Sequence, residues 1–254
     1  MLILPLFYVT LVSMIKETAE IIKNAKFLTA FTGAGISVES GIPPFRGAGG
    51  LWEKYDPYSI EINFFYSRPK DSWREMKKIF FNSMGKAEPN KAHKVLAAWE
   101  NKGLLKGIIT QNIDGLHQRA GSKNVKEFHG TISRLVCTSC AKSYPTEETD
   151  LSQEVPSCPA CGALLKPDFV FYGEGIDQKV YGESAELAYK TDVMIIVGTS
   201  GEVMPACGLP YTAKQNGAKI IEVNTLPSAY SDSISDFWFE RKAGEFFAEI
   251  ESLV

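Results

Sequence analysis

The chain of 254 residues is long enough to bury the core of one large domain, alone or with a small satellite. Its 44% hydrophobic and 22% charged residues are ordinary for a globular protein, and its net charge of −3 gives no reason to expect non-specific attraction to nucleic acid. Its 5 cysteines are too few for a disulfide scaffold, which favours a reducing, cytoplasmic-type setting.

The beginning of the chain is unusually apolar. Residues 2–12 are almost wholly hydrophobic and have no basic residue before them. The stretch is too short to span a bilayer and lacks the features of a signal peptide. An amphipathic pattern begins at Met14, so we expect translation to start there, with residues 1–13 an extension of unclear role. A membrane anchor in residues 1–13 is the alternative.

Apolar runs then alternate with helical patterns, which predicts a parallel sheet covered by helices on both faces. One helix is expected at residues 14–24, another after the glycines that end the first strand, and a third at 89–101 within an aromatic-rich, mostly helical segment, 48–100. Residues 134–163 have little apolar periodicity and are inserted between strands. The predicted strands are residues 26–32, 107–110, 193–200 and 218–224.

Gly33, Ala34 and Gly35 directly follow the first predicted strand. Glycines at this point let the backbone turn sharply and approach a pyrophosphate. The dehydrogenase fingerprint would need a third glycine where Val38 stands, and no phosphate-binding loop of the kinase or ATPase type is present. The motif therefore indicates a dinucleotide site of another kind.

Two further segments carry residues suited to a cofactor. Phe45 and Arg46 lie in a loop of glycine and proline, where they could shield and clamp a charged cofactor or simply form a structural loop. Gln111, Asn112 and Asp114 follow the second predicted strand, at the sheet edge where α/β proteins bind ligands. Each of these polar residues alone could be a helix cap, but a cluster favours a site that hydrogen-bonds a ribose and an amide-bearing ring.

His129 is the best candidate for a base. The free pKa of histidine is about 6.5, so an imidazole can take a proton near neutral pH. Of the 3 histidines, His93 sits in a helical stretch between lysines and is expected on the surface or in packing, while His117 could fix its own loop. His129 follows a short apolar stretch that ends at Phe128, a position that favours a catalytic role.

Four of the five cysteines form two Cys-x-x-Cys pairs, and Cys207 stands alone. Two such pairs supply four thiolates for a tetrahedral zinc ion. Since no ligand position is left for water, the metal is expected to be structural. A redox role for the pairs is the alternative, and the doubled spacing argues against it. The predicted ligands are Cys137, Cys140, Cys158 and Cys161.

Together these segments resemble the sirtuin family of NAD-dependent protein deacylases, from about residue 14 to the C-terminus. The matching motifs, in chain order, are GAGISVESGIPPFRG (33–47), TQNIDGLHQRAG (110–121), FHG (128–130), the four cysteines, KPDFVFYGE (166–174), GTS (198–200) and IIEVN (220–224). The resemblance implies a Rossmann-like NAD-binding domain with an inserted helical module and a small zinc-ribbon module. The implied boundaries are 14–47, 101–133 and 164–254 for the first, 48–100 for the second and 134–163 for the third.

The resemblance also implies the reaction. The amide oxygen of an acylated lysine attacks the ribose carbon that bears nicotinamide, and His129 then deprotonates a ribose hydroxyl as the general base, with Asn112 as a second catalytic residue. The acyl group is transferred to ADP-ribose, and the free lysine side chain is released. Ile113 and Asp114 would grip the nicotinamide carboxamide. The implied NAD contacts are Gly33, Ala34, Gly35, Phe45, Arg46, Gln111, Asn112, Ile113, Asp114, Gly198, Thr199, Ser200, Asn224 and Ala243.

An acylated lysine of a protein or peptide is the implied partner. It would add a strand beside residues 169–173, with the Val170 carbonyl accepting a hydrogen bond from the acyl-lysine nitrogen. Family members that prefer succinyl or malonyl groups carry Tyr and Arg at the positions of Met76 and Ile79, so acetyl or longer apolar acyl groups are expected here. The implied substrate contacts are Val170, Phe171, Tyr172, Gly173 and Val203.

Three other functions are alternatives to deacylation. Protein mono-ADP-ribosylation would use the same cofactor with a different acceptor. A non-catalytic NAD- or zinc-binding module is less consistent with His129 beside intact Asn112 and Asp114. A nicotinamide dehydrogenase is the third alternative, but the sequence lacks both the glycine pattern of that class and a clear ribose-binding acid after the second strand.

Overall fold

The computed structural model describes residues 4–47 and 49–254. The helices are α1 (Leu4–Lys23), α2 (Leu51–Lys54), α3 (Ile62–Ser67), α4 (Pro69–Met76), α5 (Asn82–Met84), α6 (Lys91–Asn101), α7 (Leu116–Arg119), α8 (Gln178–Lys190), α9 (Gly208–Gln215) and α10 (Ala243–Glu251). The strands are β1 (Leu28–Thr32), β2 (Leu105–Thr110), β3 (Val125–Glu127), β4 (Gly130–Cys137), β5 (Ser143–Pro145), β6 (Leu165–Phe169), β7 (Val193–Val197), β8 (Lys219–Asn224) and β9 (Phe237–Glu240).

The larger sheet has six parallel strands in the order β3-β2-β1-β7-β8-β9. Every residue of β1 and β7 is buried, as expected for strands covered on both faces. This is the Rossmann strand order, and it confirms the predicted fold class. Because the order reverses between β1 and β7, a crevice opens outside the carboxyl ends of the strands at this point.

Helices cover both faces of this sheet. Side chains alternate along a strand, so successive residues of β7 face opposite sides. Val193 and Ile195 belong to one apolar cluster, with α1, α6 and α10, whereas Met194 and Ile196 belong to another, with α8 and α9. The two clusters together fix the sheet from which the functional loops extend.

The smaller sheet is antiparallel, in the order β5-β4-β6. It begins at Gly130 and ends at Phe169, and so extends beyond the predicted insertion at 134–163 on both sides. The helical segment packs against it in a third apolar cluster that contains Trp73, Phe80 and Leu135. The indole Nε1 of Trp73 also donates a hydrogen bond to the Leu165 carbonyl at 3.0 Å.

The first helix starts earlier than the predicted residue 14, at Leu4, and continues without a break to Lys23. No glycine occurs in this stretch, and its one proline, Pro5, falls in the first turn, where a helix tolerates it. Residues 1–3 of the predicted extension lie outside the described residues. Within residues 4–47 and 49–254, no helix combines the length and the hydropathy that a membrane crossing requires.

His93 and His117 form a buried pair between α6 and α7. Their ring centroids are 4.9 Å apart, and Nε2 of His117 lies 2.9 Å from the Thr32 hydroxyl. Of the two expectations for His93, packing is correct and exposure is wrong, because α6 places this side chain fully buried against the ring of His117. Burial lowers the pKa of His93 to about 4, and it also lowers that of His117 well below its usual range.

We expect this pair to make the fold acid-sensitive. Since the pKa of His93 is lower in the folded than in the unfolded state, the unfolded chain binds the proton first as the pH falls below 6.5. His93 alone then removes about 2 kcal/mol from the free energy of unfolding by pH 5. Urea denaturation at pH 7.5 and pH 5 measures the loss, which a His93→Leu variant should reduce. An equal loss in wild type and variant would contradict the prediction.

Candidate active site

A cavity of about 1410 Å³ lies at the carboxyl ends of the parallel strands. Sites for one drug-sized molecule occupy roughly 300–1,000 Å³, so this cavity can hold two ligands side by side. It is formed where the strand order reverses, by the loops that follow β1, β2, β7 and β8. The predicted site residues that line it are Gly33, Ala34, Gly35, Phe45, Arg46, Gln111, Asn112, Ile113, His129, Val170, Phe171, Tyr172, Gly173, Gly198, Thr199, Ser200, Val203, Asn224 and Ala243.

The loops after β1 and β7 meet backbone to backbone at the cavity wall. The Gly35 amide donates to the Gly198 carbonyl at 2.8 Å, and a Cβ on Gly35 would lie only 2.5 Å from the Gly198 Cα. Gly198 also has a positive φ of 64°. The two glycines are therefore required by this contact. The predicted helix after them is a short 3-10 helix, Ala34–Ser40, which needs no third glycine at Val38.

His129 follows β3 and lines the cavity. Its Nδ1 lies 3.0 Å from the Gln111 carbonyl oxygen, which can only accept a hydrogen bond. The ring must therefore be protonated at Nδ1, which leaves Nε2 as the basic nitrogen. Burial lowers the pKa of His129, and the bond to Gln111 opposes this effect. The imidazole is thus neutral near pH 7, the state in which it can accept a proton.

Asn112 and Asp114 are oriented by the loop after β1. The Asn112 side-chain amide donates to the Gly33 carbonyl at 3.1 Å and to the Ser37 hydroxyl at 3.2 Å. Its Oδ1 has no protein partner within the described part of the chain and is available to a ligand. Asp114 lies beside the main cavity, in a small adjoining pocket, where it accepts a 2.7 Å hydrogen bond from Ser37. Burial raises the pKa of Asp114, and hydrogen bonds to Leu116 and Ser37 oppose the shift.

A chain of hydrogen bonds connects the base to the other end of the cavity. Gln111, whose carbonyl orients His129, donates through Nε2 to the Thr199 hydroxyl at 2.9 Å. The Thr199 amide in turn donates to Asn224 Oδ1 at 2.9 Å, and Asn224 donates to the buried Glu222 carboxylate at 2.7 Å. Glu222 was not among the predicted site residues, although it lies two residues before Asn224 in β8.

Aromatic side chains form an apolar wall of the cavity. The ring of Phe45 lies 5.5 Å from that of Trp52 and 6.4 Å from that of Phe80. Trp52 and Phe80 come from the helical segment and were not among the predicted site residues. Their signal was only the aromatic richness of residues 48–100, which does not distinguish cavity walls from core. Arg46 pairs with Glu202 across the cavity at 3.7 Å.

The four predicted zinc ligands converge at the end of the smaller sheet. Their sulfur atoms all lie within 4.8 Å of one another, with 3.4 Å between Cys137 and Cys161 and 3.7 Å between Cys140 and Cys158. Zinc–sulfur bonds of about 2.3 Å place thiolates of a tetrahedron about 3.8 Å apart, so the site fits zinc. The fifth cysteine, Cys207, is buried away from this cluster, with its sulfur 3.1 Å from that of Met204.

Comparison with known proteins agrees with this geometry. The sequence profile of the Sir2 family matches residues 33–205. An NAD-dependent protein deacylase of Pyrococcus furiosus is 45% identical over 243 residues, which cover 93% of this chain and 96% of that protein. With more than two thirds of both chains aligned, the chain belongs to the Sir2 family.

Solved structures of this family are similar over nearly the whole chain. A complex of Sir2 with a p53 peptide and NAD+ has a TM-score of 0.85 and 38% identity, and covers 94% of this chain and 97% of that one. A complex of a Sir2 variant with deacetylated p53 peptide and 3′-O-acetyl ADP ribose has a TM-score of 0.88 and 38% identity, with the same coverage. The predicted family is therefore confirmed.

Proposed function

We propose that this protein is an NAD-dependent protein-lysine deacylase, which removes acetyl or longer apolar acyl groups and releases nicotinamide and O-acyl-ADP-ribose. The observation that carries the proposal is the neutral imidazole of His129, held by Gln111 inside a cavity large enough for a dinucleotide and an acyl-lysine side chain. The relatives act with NAD on acylated proteins, and more than nine tenths of both chains align.

The loops after β1, β7 and β8 form the cofactor side of the site. NAD supplies a ribose carbon from which nicotinamide leaves, and a ribose hydroxyl that receives the acyl group. Gly33 and Gly35 let the backbone approach the pyrophosphate, while Thr199 and Asn224 hold the adenosine half. Asn112 offers its Oδ1 to the nicotinamide ribose, and Ile113 and Asp114 contact the carboxamide.

The opposite wall receives the acylated lysine. The peptide adds as a strand between residues 169–173 and Val203, with the Val170 carbonyl accepting a hydrogen bond from the lysine nitrogen. His129 takes the proton of the ribose hydroxyl through Nε2. Phe45, Trp52 and Phe80 keep water from the reacting atoms.

The four clustered thiolates hold a structural zinc ion, which ties β4 to the turn before β6. Thiolates in such a site must remain reduced, and this supports a cytoplasmic location. We further propose the three-part division of the chain into a Rossmann-like domain, a helical module and a zinc module, with the zinc module spanning residues 130–169 of the smaller sheet and not the predicted 134–163.

The test of the function is incubation of the protein with NAD and an acetyl-lysine peptide. We expect equal amounts of nicotinamide, O-acetyl-ADP-ribose and deacetylated peptide by mass spectrometry. If the peptide instead gains the mass of ADP-ribose, the activity is protein ADP-ribosylation and not deacylation. NAD binding without turnover would indicate a non-catalytic NAD-binding module.

The acyl group is expected to be apolar. Phe45, Trp52 and Phe80 form an apolar wall of the cavity. Met76 and Ile79, which the resemblance places at the Tyr and Arg of acid-preferring relatives, are buried in the same apolar cluster as Phe80 and do not line the cavity. Transfer of an unpaired carboxylate into such surroundings costs several kcal/mol. We expect kcat/KM for a butyryl-lysine peptide to exceed that for its succinyl counterpart by at least about 100-fold, roughly 2.7 kcal/mol. The two groups are of matched length, so faster desuccinylation would refute the prediction.

A further inference from the structure

Residues 169–172 form one wall of the cavity, and almost every backbone group in them is already bonded. The Val170 amide donates to the His129 carbonyl at 2.9 Å. The Tyr172 amide donates to the Ile60 carbonyl at 3.1 Å, and the Tyr172 carbonyl accepts from Ile62 at 3.0 Å. These bonds connect the segment to the strand end that carries His129 and to the helical segment.

Both backbone groups of Phe171 are hydrogen-bonded to one residue, Glu174. Its amide donates to Oε2 of Glu174 at 2.8 Å, and its carbonyl accepts a hydrogen bond from the Glu174 amide at 3.0 Å. Val170 lies between these fixed points, and its carbonyl has no protein partner within residues 4–47 and 49–254. This carbonyl is therefore the one acceptor that the segment 170–172 leaves for a ligand.

Lys166 connects the Glu174 carboxylate to the backbone that precedes Val170. Its ammonium group donates to Glu174 at 3.0 Å, to the Phe169 carbonyl at 2.8 Å and to the Pro167 carbonyl at 3.1 Å. These bonds use all three of its donors. The ammonium group also lies 4.2 Å from the ring centroid of Phe171.

The pair is largely buried, with 13% of the Lys166 side chain and 28% of the Glu174 side chain exposed. A buried ion pair contributes little net stability compared with apolar side chains of the same volume. Stability alone therefore does not account for the pair. Glu174 lines the cavity, and the bonds of the pair reach the backbone immediately before and after Val170.

We propose that Lys166 and Glu174 are positioning residues for the substrate: together they hold residues 169–171 so that the Val170 carbonyl points at the nitrogen of the incoming acyl-lysine. This inference rests on the proposed deacylase function. The pair should affect peptide binding, because it positions the backbone that contacts the peptide. It should not affect the binding of NAD at the opposite wall.

The test compares Glu174→Ala and Lys166→Met with a matched pair elsewhere. Lys126 and Glu183 form a similar, partly exposed ion pair away from the cavity, with a nitrogen–oxygen distance of 2.6 Å. We expect KM for an acetyl-lysine peptide to rise at least about tenfold in both Glu174→Ala and Lys166→Met, the effect of one lost charge-assisted hydrogen bond. KM for NAD should stay within about twofold, and Glu183→Ala should change neither constant.

Conservative variants separate positioning from general stability. Lys166→Arg keeps a cation within reach of Glu174 and should restore most of the peptide affinity, whereas Glu174→Gln keeps an acceptor for the Phe171 amide but loses the charge, and should fall between wild type and Glu174→Ala. These two variants decide the question if the alanine variant does not fold. Thermal unfolding of each variant is recorded alongside.

Two results would overturn the inference. One is a peptide KM that stays at the wild-type value in folded Glu174→Ala or Glu174→Gln. The other is an equal rise of both KM values together with a lower melting temperature, which indicates a purely structural role. Wild-type protein that fails to deacetylate the peptide would instead overturn the proposed function, so the two failures are distinguishable.

Discussion

Replacement of His129 by alanine is expected to lower the deacetylation rate by about two to four orders of magnitude, the usual contribution of a general base. The Nε2 lone pair is lost with the ring, and no other histidine lines the described cavity. The variant should still fold, because the removed side chain contributes one hydrogen bond, from Nδ1 to the Gln111 carbonyl. The assay is release of O-acetyl-ADP-ribose, with thermal unfolding and zinc content as controls.

The pH profile offers an independent readout of the same residue. Since burial lowers the pKa of His129 below 6.5, the wild-type kcat/KM should hold to below pH 6.5 and then decline as the imidazole becomes protonated. Free imidazole added to His129→Ala should restore part of the rate by entering the vacated space. A variant that turns over within threefold of wild type would exclude His129 as the base.

Removal of zinc is expected to inactivate the protein and to unfold the smaller sheet. Structural zinc contributes about 10–16 kcal/mol of apparent binding free energy at pH 7 in isolated zinc fingers, far more than a three-stranded sheet gains by itself. Cys137 and Cys158 are also buried in the same apolar cluster as Phe169 and Phe171. Loss of the metal should therefore disturb the wall that receives the acyl group.

The chain supplies its own control for this experiment. Cys137→Ala should bind less than a tenth of the zinc of wild type, by release of metal to a colorimetric chelator, and should lose deacetylation. Cys207→Ala, which removes a buried thiol outside the cluster, should keep about one zinc ion per chain and retain activity. Full activity of a folded, zinc-free protein would contradict a structural role and favour redox chemistry at the two pairs.

Local patterns predicted the parts of this protein that depend on near neighbours in the chain. Apolar runs identified β1, β2, β7 and β8, although the boundaries differed by a few residues, and the helix expected at 89–101 agrees closely with α6, which Asn90 caps. The edge strand β9 was missed, because its apolar run, Phe237 to Phe239, is only three residues long and is followed by the exposed Glu240. The extent of α1 was missed because the apolar start of the chain resembled a separate segment.

The predicted site residues were found by motif and by resemblance, and they line one cavity with Asp114 beside it. Their individual roles remain proposals. Trp52 and Phe80 could not be selected in advance, since aromatic residues of the helical segment all look alike in sequence while only some face the cavity. Lys166 and Glu174 were part of a recognised motif, yet their pairing is a property of the fold.

The amino-acid sequence was sufficient to predict the fold class, the family and four cysteines able to bind zinc, since each prediction depends on residue types and their spacing along the chain. The folded structure was needed to show which nitrogen of His129 is basic, how Lys166 and Glu174 hold the backbone around Val170, and how Gln111, Thr199 and Asn224 connect. These features depend on contacts between residues up to 88 positions apart. Such contacts exist only after parallel strands bring their carboxyl ends to one edge, and periodicity along the chain carries no record of them.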